Sequence, residues 1–255
     1  MTTPHVTERF SDRVDDYVRA RPGYPDEMLP FLHDVCGWAP DTVVADLGSG
    51  TGISAEWFLR RGNTVYAVEP NEPMRRAAEA RLGQDERFHS VAATAEATGL
   101  EAGSIQLVVA AQAFHWFDRA KVRQEVLRIL VPGGHAAIIW NARRRDSTPF
   151  LRGYEQLLRT FGTDYQEVRY ENVSEADLRA FFGGDFRRGS FPNVQVFDFE
   201  GLEGRLLSSS FVPKAGDSRY APMLDELRRL FDAHQEDGRV RMEYDTLVYG
   251  GPVRP

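Results

Sequence analysis

Two acids and three glycines carry the sharpest chemical signal in the sequence. In VVADLGSGTG, residues 43–52, an apolar run ends in Asp46, and Gly48, Ser49, Gly50 and Gly52 follow. Glycines at that spacing let the chain turn sharply and let ligand atoms approach backbone that a Cβ would shield. A second apolar run, TVYAVE, ends in Glu69, nineteen residues after Gly50. That is close to the roughly 20-residue interval at which an acid meets a ribose in dinucleotide folds. A carboxylate accepts both hydroxyls of a ribose at once, so Glu69 is a candidate for a nucleoside diol, while Asp46 adds negative charge at the same edge. The two acids would also serve simply as strand ends at a wet edge. Their placement at matching ends of adjacent strands favours the ligand.

The elements that must position these groups alternate in period. A helical pattern from residue 25 (Met28, Leu29, Phe31, Leu32, Val35) stops at Gly37, and TVVADL then reads as a buried strand. After the glycines, Ile53, Ala55, Trp57 and Phe58 begin a helix that ends at Gly62, and TVYAVE is the second strand. Asn71 with Pro73 just inside marks a helix start that runs to Gly83. FHSVAA is a third strand, and SIQLVVAA is a fourth, apolar throughout as a strand covered on both faces requires. Asp118 caps the next helix, VPGG turns it, and HAAIIW is the fifth strand. Strand and helix alternating from 42 to 140 means βαβ units and a doubly wound, mostly parallel sheet. Further on, a strong helix follows Ser147 and Pro149, and a shorter one starts at the capping box SEAD. NVQVFDFE and VRMEYDTLVYG alternate with period two, as a late antiparallel pair would. The helices between the fifth strand and that pair are the expected lid.

Other side chains at the ligand edge suit a reacting partner. His115, in AQAFHWFD just past the fourth strand, is the natural candidate for a general base, and it also suits stacking in a pocket wall beside Trp116 and Phe117. NARRRD follows the fifth strand, and Arg143, Arg144 and Arg145 suit bidentate capture of an anion. Three consecutive arginines cannot all face one pocket, so at least one belongs to a solvated loop. In RLLSSSF, Ser208, Ser209 and Ser210 either hydrogen-bond a ligand or end a helix.

The 255 residues are of ordinary globular composition, 42% hydrophobic and 27% charged, enough for one domain with a full core. A formal charge of −7 argues against a broad nucleic-acid surface. Cys36 is the one cysteine, so no intrachain disulfide and no cysteine-rich metal site form, which fits a reducing cytoplasm. The charged opening MTTPHVTERFSDRVDDY has no apolar core of a signal peptide, and no run approaches a membrane span.

Taken together, VVADLGSGTG, VYAVEPNEPM, AATAEATGL, SIQLVVAAQAFHWFD and LVPGGHAAIIW resemble, in order and spacing, the motifs of class I S-adenosylmethionine-dependent methyltransferases of the small-molecule type. The likeness covers roughly residues 10–141 and, more weakly, the remainder. RARPGYP and AFHWFD resemble most the subgroup that includes trans-aconitate methyltransferases. The resemblance implies a Rossmann-like seven-stranded sheet with helices on both faces and an antiparallel last strand. It implies one domain over 1–255, with cap helices in 1–37, a cofactor-binding core in 40–141, and acceptor-side helices with the final strand pair in 142–255. S-adenosylmethionine would be the cofactor, a small molecule the acceptor, and neither nucleic acid, membrane nor metal a partner.

Residue by residue, the resemblance puts Asp46 and Gly48, Ser49, Gly50 and Gly52 at the methionine part of the cofactor, and Glu69 at the ribose. Pro70 and Asn71 would wall the adenine, with the Ala95 N–H beside it and Gln112 in the loop after the fourth strand. Thr94 stands where the family often has an adenine-binding aspartate, which weakens that one contact. Tyr17, Arg21 and Tyr24 match an N-terminal cap over the cofactor; they equally suit amphipathic packing and a PGYP turn. Tyr24, Trp116, Arg143 and Arg144 would face the acceptor, with His115 as its base. Two alternatives stay open. GTGISA fits the relaxed dinucleotide pattern of a nicotinamide oxidoreductase, although no Tyr-x-x-x-Lys pair accompanies it, and a non-catalytic cofactor-binding protein would share the same seat.

Overall fold

The computed structural model describes residues 20–165 and 170–255. Seven strands are β1 (Val43–Leu47), β2 (Thr64–Val68), β3 (Phe88–Val91), β4 (Ile105–Ala111), β5 (Leu130–Arg143), β6 (Arg187–Phe197) and β7 (Val240–Pro252). They form one sheet in the order β3-β2-β1-β4-β5-β7-β6. β1 to β5 run parallel, and β7 is antiparallel to both of its neighbours, so the last strand in sequence is wedged between β5 and β6. The expected sheet class is the observed one.

Helices α1 (Leu29–Cys36), α2 (Ile53–Leu59) and α3 (Glu72–Leu82) cover one face, α4 (Arg119–Ile129) and α6 (Glu175–Phe182) the other. Alternation along each strand divides the core accordingly. Val44, Leu107, Val109 and Ile139 pack with Leu32, Trp57 and Phe58, whereas Ala45, Val108, Ile138 and Trp140 pack with Val122, Val126 and Phe182. A third core, around Tyr154, Leu206, Met223, Leu227 and Tyr244, joins α5 (Pro149–Phe161), α7 (Phe199–Leu207) and α8 (Tyr220–His234) to β7.

Local signals in the sequence act as anticipated at several ends. Asn71 Oδ1 accepts from Met74 N at 3.0 Å at the start of α3, a cap that contributes about 1 kcal/mol. Ser174 and Asp177 close a reciprocal capping box on α6. Gly37, at φ +62°, ends α1 in the left-handed conformation that glycine adopts without strain.

Two boundaries differ from the reading of the sequence. VPGG is not a turn between α4 and β5: the strand begins at Leu130, directly after α4, and absorbs the extra residues as an irregularity between the Ile105–Leu130 and Leu107–His135 pairs. NVQVFDFE is not one strand either. β6 starts six residues earlier, where Gly189 and Pro192 obscure the pattern in a way an edge strand tolerates, and stops at Phe197 because the Asp198 side chain accepts from Gly201 N at 2.8 Å and opens α7.

The topology fixes where a ligand can sit. From β1 the chain winds outward through β2 and β3, then returns to place β4 on the other side of β1. Side chains cannot close the crevice where the winding reverses, beyond the carboxyl ends of β1 and β4.

Candidate active site

That crevice holds a cavity of about 890 Å³, a size suited to a small-molecule ligand. Its floor is the turn after β1. Gly48, Gly50 and Gly52 have φ of +69°, +56° and +81°, and the N–H groups of Gly48 and Ser49 donate to Val68 O at 2.8 and 3.1 Å, which pins the turn to the end of β2. Gly48 admits no side chain, since a Cβ there would lie 2.7 Å from Ala113 Cβ. Gly52 serves helix packing instead of the cavity wall: a Cβ would lie 2.7 Å from Leu82 Cδ1 and 3.1 Å from Ala78 Cβ. Gly48, Ser49 and Gly50 line the cavity.

The two acids lie at the same end of adjacent strands. Asp46 pairs in register with Ala67, and Glu69 follows β2 directly. Glu69 lines the cavity, and its carboxylate ties the two ligand-side loops together, Oε2 accepting from Gly50 N at 2.9 Å and Oε1 from Asn71 N at 2.8 Å. Each oxygen has a second lone pair, so two hydroxyls can still be accepted. Burial pushes the Glu69 pKa up, and the amides of Asn71 and Gly50 and the charge of Arg75 oppose it. Asp46 is fully buried behind the turn, not on the wall. Ser54 Oγ donates to its Oδ2 at 2.5 Å, and Ser54 itself faces the cavity. Burial pushes the Asp46 pKa up to about 7, against the Ser54 hydroxyl, with the neighbouring Glu69 charge adding to the rise and the Ala55 amide opposing it.

Two buried polar atoms of the turn that lines the cavity, Ser49 Oγ and Thr51 Oγ1, have no hydrogen-bond partner among the described residues. Native interiors rarely leave such atoms unmatched. An adenosyl ligand with an amino-acid tail fits this donor and acceptor set: a diol for Glu69, and polar tail atoms for the turn.

Most of the remaining candidates meet at this cavity. Pro70, Asn71, Thr94, Ala95 and Gln112 line it. Gln112 holds a left-handed φ of +61° at the end of β4, its N–H donating to Ile139 O at 2.8 Å. Arg21, Tyr24 and Trp116 are also on the wall. Tyr17 lies outside the described residues.

Three candidates are placed elsewhere, and each for a physical reason. Arg143 turns away, to the buried Glu155 on α5, with Nη2 at 2.5 Å from Oε2 and 3.3 Å from Tyr165 Oη. Arg159 and Tyr165 also donate to Glu155, which burial pushes up and these donors hold below the usual carboxylate range. Arg144 pairs with Asp245, Nη2 to Oδ1 at 2.7 Å, across the β5–β7 ladder. These arginines fasten the end of β5, and neither lines this cavity. His115 is half-buried and is not on the cavity wall; Trp140 Nε1 donates to its Nδ1 at 3.4 Å, so the neutral ring carries its proton on Nε2. Burial lowers its pKa to about 4. A ring so held is a poor proton acceptor toward the cavity.

Several wall residues are not legible as such in the sequence, Lys121, Asn141 and Arg205 among them. Asn141 opens the NARRRD string that drew attention to its arginines, and Arg205 opens RLLSSSF, whose serines were singled out. The missed signal is helical spacing: Arg205 and Ser209 are four apart, hence on one face. Among the described residues after Arg143, Arg205 alone reaches the cavity; the helices expected as a lid, α5 and α6, lend it no wall residue, and α7, which lies between the two strands of the late pair, does instead.

A protein-family profile described as a methyltransferase domain matches residues 45–138. An uncharacterized methyltransferase of Schizosaccharomyces pombe is 30% identical over 262 aligned residues, covering 98% of this chain and 99% of that protein. The chain belongs to the methyltransferase family. An uncharacterized methyltransferase of Mycobacterium tuberculosis is 38% identical over 134 aligned residues, 52% of this chain and 52% of that protein. Among solved structures, a protein of Anaeromyxobacter dehalogenans assigned to the type II methyltransferases shares the fold with a TM-score of 0.66, at 23% identity and covering 92% and 99% of the two chains. Phosphoethanolamine N-methyltransferase 2 of Haemonchus contortus, solved with phosphomonomethylethanolamine and S-adenosylhomocysteine, shares it with a TM-score of 0.56, at 17% identity and covering 98% and 59%. The methyltransferase uses S-adenosylmethionine as its cofactor. The oxidoreductase alternative finds no relative among these.

Proposed function

We propose that the methyltransferase transfers the methyl group of S-adenosylmethionine to a small-molecule acceptor by in-line displacement, with Glu69 on the ribose and the Gly48–Gly52 turn along the methionine part. One observation carries this reading: a single, partly open cavity extends from Gly50 and Glu69 to Asn141 and Arg205, so one space is available to cofactor and acceptor. A space of this size suits a small molecule.

When bound, the cofactor supplies a sulfonium methyl that is already activated by positive charge. The protein's part is then to hold, align and keep dry. Proximity and alignment contribute about 7–11 kcal/mol of barrier reduction. A base contributes only about 10²–10⁴-fold, and nothing where the acceptor is a carboxylate ionised at neutral pH. The withdrawal of His115 from the wall is consistent with such an acceptor. The narrower likeness of RARPGYP and AFHWFD to trans-aconitate methyltransferases points the same way. A cytoplasmic setting belongs to this reading because the lone Cys36 is buried and makes no disulfide.

Incubation with S-adenosylmethionine and fractionated metabolite pools, with mass detection, tests it: one product heavier by a methyl group is expected, together with S-adenosylhomocysteine. Tight cofactor binding with no transfer to any pool would instead mark a non-catalytic binder.

A further inference from the structure

We infer that Asn193 and Gln195, on the edge strand β6, are positioning residues: they latch the segment 20–24 as a strap along the cavity and so set how long a ligand stays bound. The inference rests on the methyltransferase reading of that cavity. Arg21, Pro22 and Tyr24 of the segment line the cavity, whereas neither Asn193 nor Gln195 does. The segment runs from one packing unit to another. Tyr24 packs on the core that holds Ala55 of α2 and Ala111 of β4, and Arg21 Nη2 donates to Ser208 O, just past α7, at 2.8 Å. Side chains of β5 and β6 hold its main chain. Asn193 Nδ2 donates to Gly23 O at 2.9 Å, Asn141 Nδ2 donates to the same oxygen at 3.1 Å, and Gln195 Nε2 donates to Ala20 O at 3.1 Å.

The latching amides are themselves oriented from behind. Tyr244 Oη on β7 donates to Gln195 Oε1 at 2.9 Å, and the buried Thr246 Oγ1 donates to Asn141 Oδ1 at 2.6 Å. Asn193 Oδ1 accepts from Val194 N at 2.8 Å, and its Nδ2 also donates to Asn141 Oδ1 at 3.2 Å, so the two amides that grip Gly23 O are tied to each other. Residues 193 and 195 are two apart on a strand and therefore share a face, which is why both reach the same segment. Each amide has its oxygen engaged by a donor and its nitrogen aimed at the strap. Both side chains are half-buried on an edge strand, so truncating them removes little packing. A wall segment gripped at its carbonyls yields when the grip is removed, and a ligand behind it leaves sooner; such release steps limit turnover in many enzymes.

The test is the dissociation rate of S-adenosylhomocysteine from the full chain, followed in stopped flow by tryptophan fluorescence, since Trp116 is on the cavity wall. Asn193→Ala and Gln195→Met should each raise that rate about fivefold, the factor to which one net amide–carbonyl hydrogen bond corresponds, and the double variant should exceed either. Unfolding midpoints of the ligand-free variants should stay within about 2–4 °C of wild type. Val194, 43% exposed on the same strand between the two, supplies the control: Val194→Ala should dissociate as wild type does. A wild-type dissociation rate in Asn193→Ala overturns the inference. So does an equal rise in Val194→Ala, which would make the effect one of strand stability. Should Asn193→Ala not fold, Gln195→Met decides by the same criterion. Absence of S-adenosylhomocysteine binding to the wild type is a separate failure, that of the methyltransferase reading, and the latch falls with it.

Discussion

At Asp46 a buried carboxyl whose pKa is pushed up to about 7 by burial faces no cation among the described residues, and this has two measurable consequences. With the folded value above the unfolded value near 4, the group's contribution to stability is complete below pH 4 and is lost as the pH rises through 7. A difference of about three units corresponds to about 4 kcal/mol. The ligand-free Asp46→Asn variant should therefore be more stable than wild type at pH 8, the gap closing toward pH 4; denaturant unfolding at several pH values measures it, and a constant gap contradicts the assignment. The cofactor's positive charge would favour the ionised form, so wild-type affinity should rise between pH 5 and 8 and that rise should vanish in the variant. His115 gives the opposite expectation. Its Nδ1 is occupied by Trp140 Nε1–H and its pKa lies near 4, so His115→Ala should leave the shape of the pH–rate profile above pH 5.5 unchanged. Loss of a limb of that profile would restore the base.

At the scale of elements, the turn after β1 and the end of β5 behave differently under substitution. Gly48→Ala would place a Cβ 2.7 Å from Ala113 Cβ at a φ of +69°, so the chain itself must shift; a loss of stability beyond the roughly 1–2 kcal/mol of left-handed strain is expected in thermal unfolding. Gly50→Ala meets only the end of the Met74 side chain, at 3.1 Å, so it should fold with little more than that strain and act on the cofactor instead. If the two variants lose stability equally, the turn is not built as described. Arg143→Ala should cost stability, but less than the roughly 3–5 kcal/mol of a buried charge left alone, because Arg159 and Tyr165 still serve Glu155, and it should leave acceptor affinity unchanged. The converse pattern would return Arg143 to the site. Sequence periodicity and caps located every strand, because each buried run is bounded by glycine, proline or a capping side chain. It failed where signals cancel, as in Gly189 and Pro192 within an edge strand, or Asp198, whose cap outweighs the β pattern of the residues around it. The cofactor end of the site was legible for the same reason: its groups lie within a few residues of strand ends. The acceptor end was not, since Arg205 reaches the cavity through a tertiary packing of α7 on β7 that no local pattern encodes, and Arg143 is diverted by a glutamate twelve residues away.

For the molecule as a whole, the cavity takes most of its wall from the elements of the two-faced sheet core and, through Arg205 of α7, one residue from the unit built on the third core. A ligand bridging both should stabilise them together. S-adenosylhomocysteine at a hundred times its dissociation constant stabilises the native state by about 2.7 kcal/mol, and a single cooperative transition should shift as one. Two transitions, one unmoved, would show that the third core does not share the site. Central to all of this is the seat formed by Glu69 and the glycine turn, and calorimetric titration of S-adenosylhomocysteine into wild type and Glu69→Gln addresses it directly. Each charge-assisted hydrogen bond contributes about 1.5–3 kcal/mol, so a rise in dissociation constant of roughly tenfold or more is predicted for the folded variant. An unchanged constant in a variant with the wild-type unfolding midpoint would contradict the account.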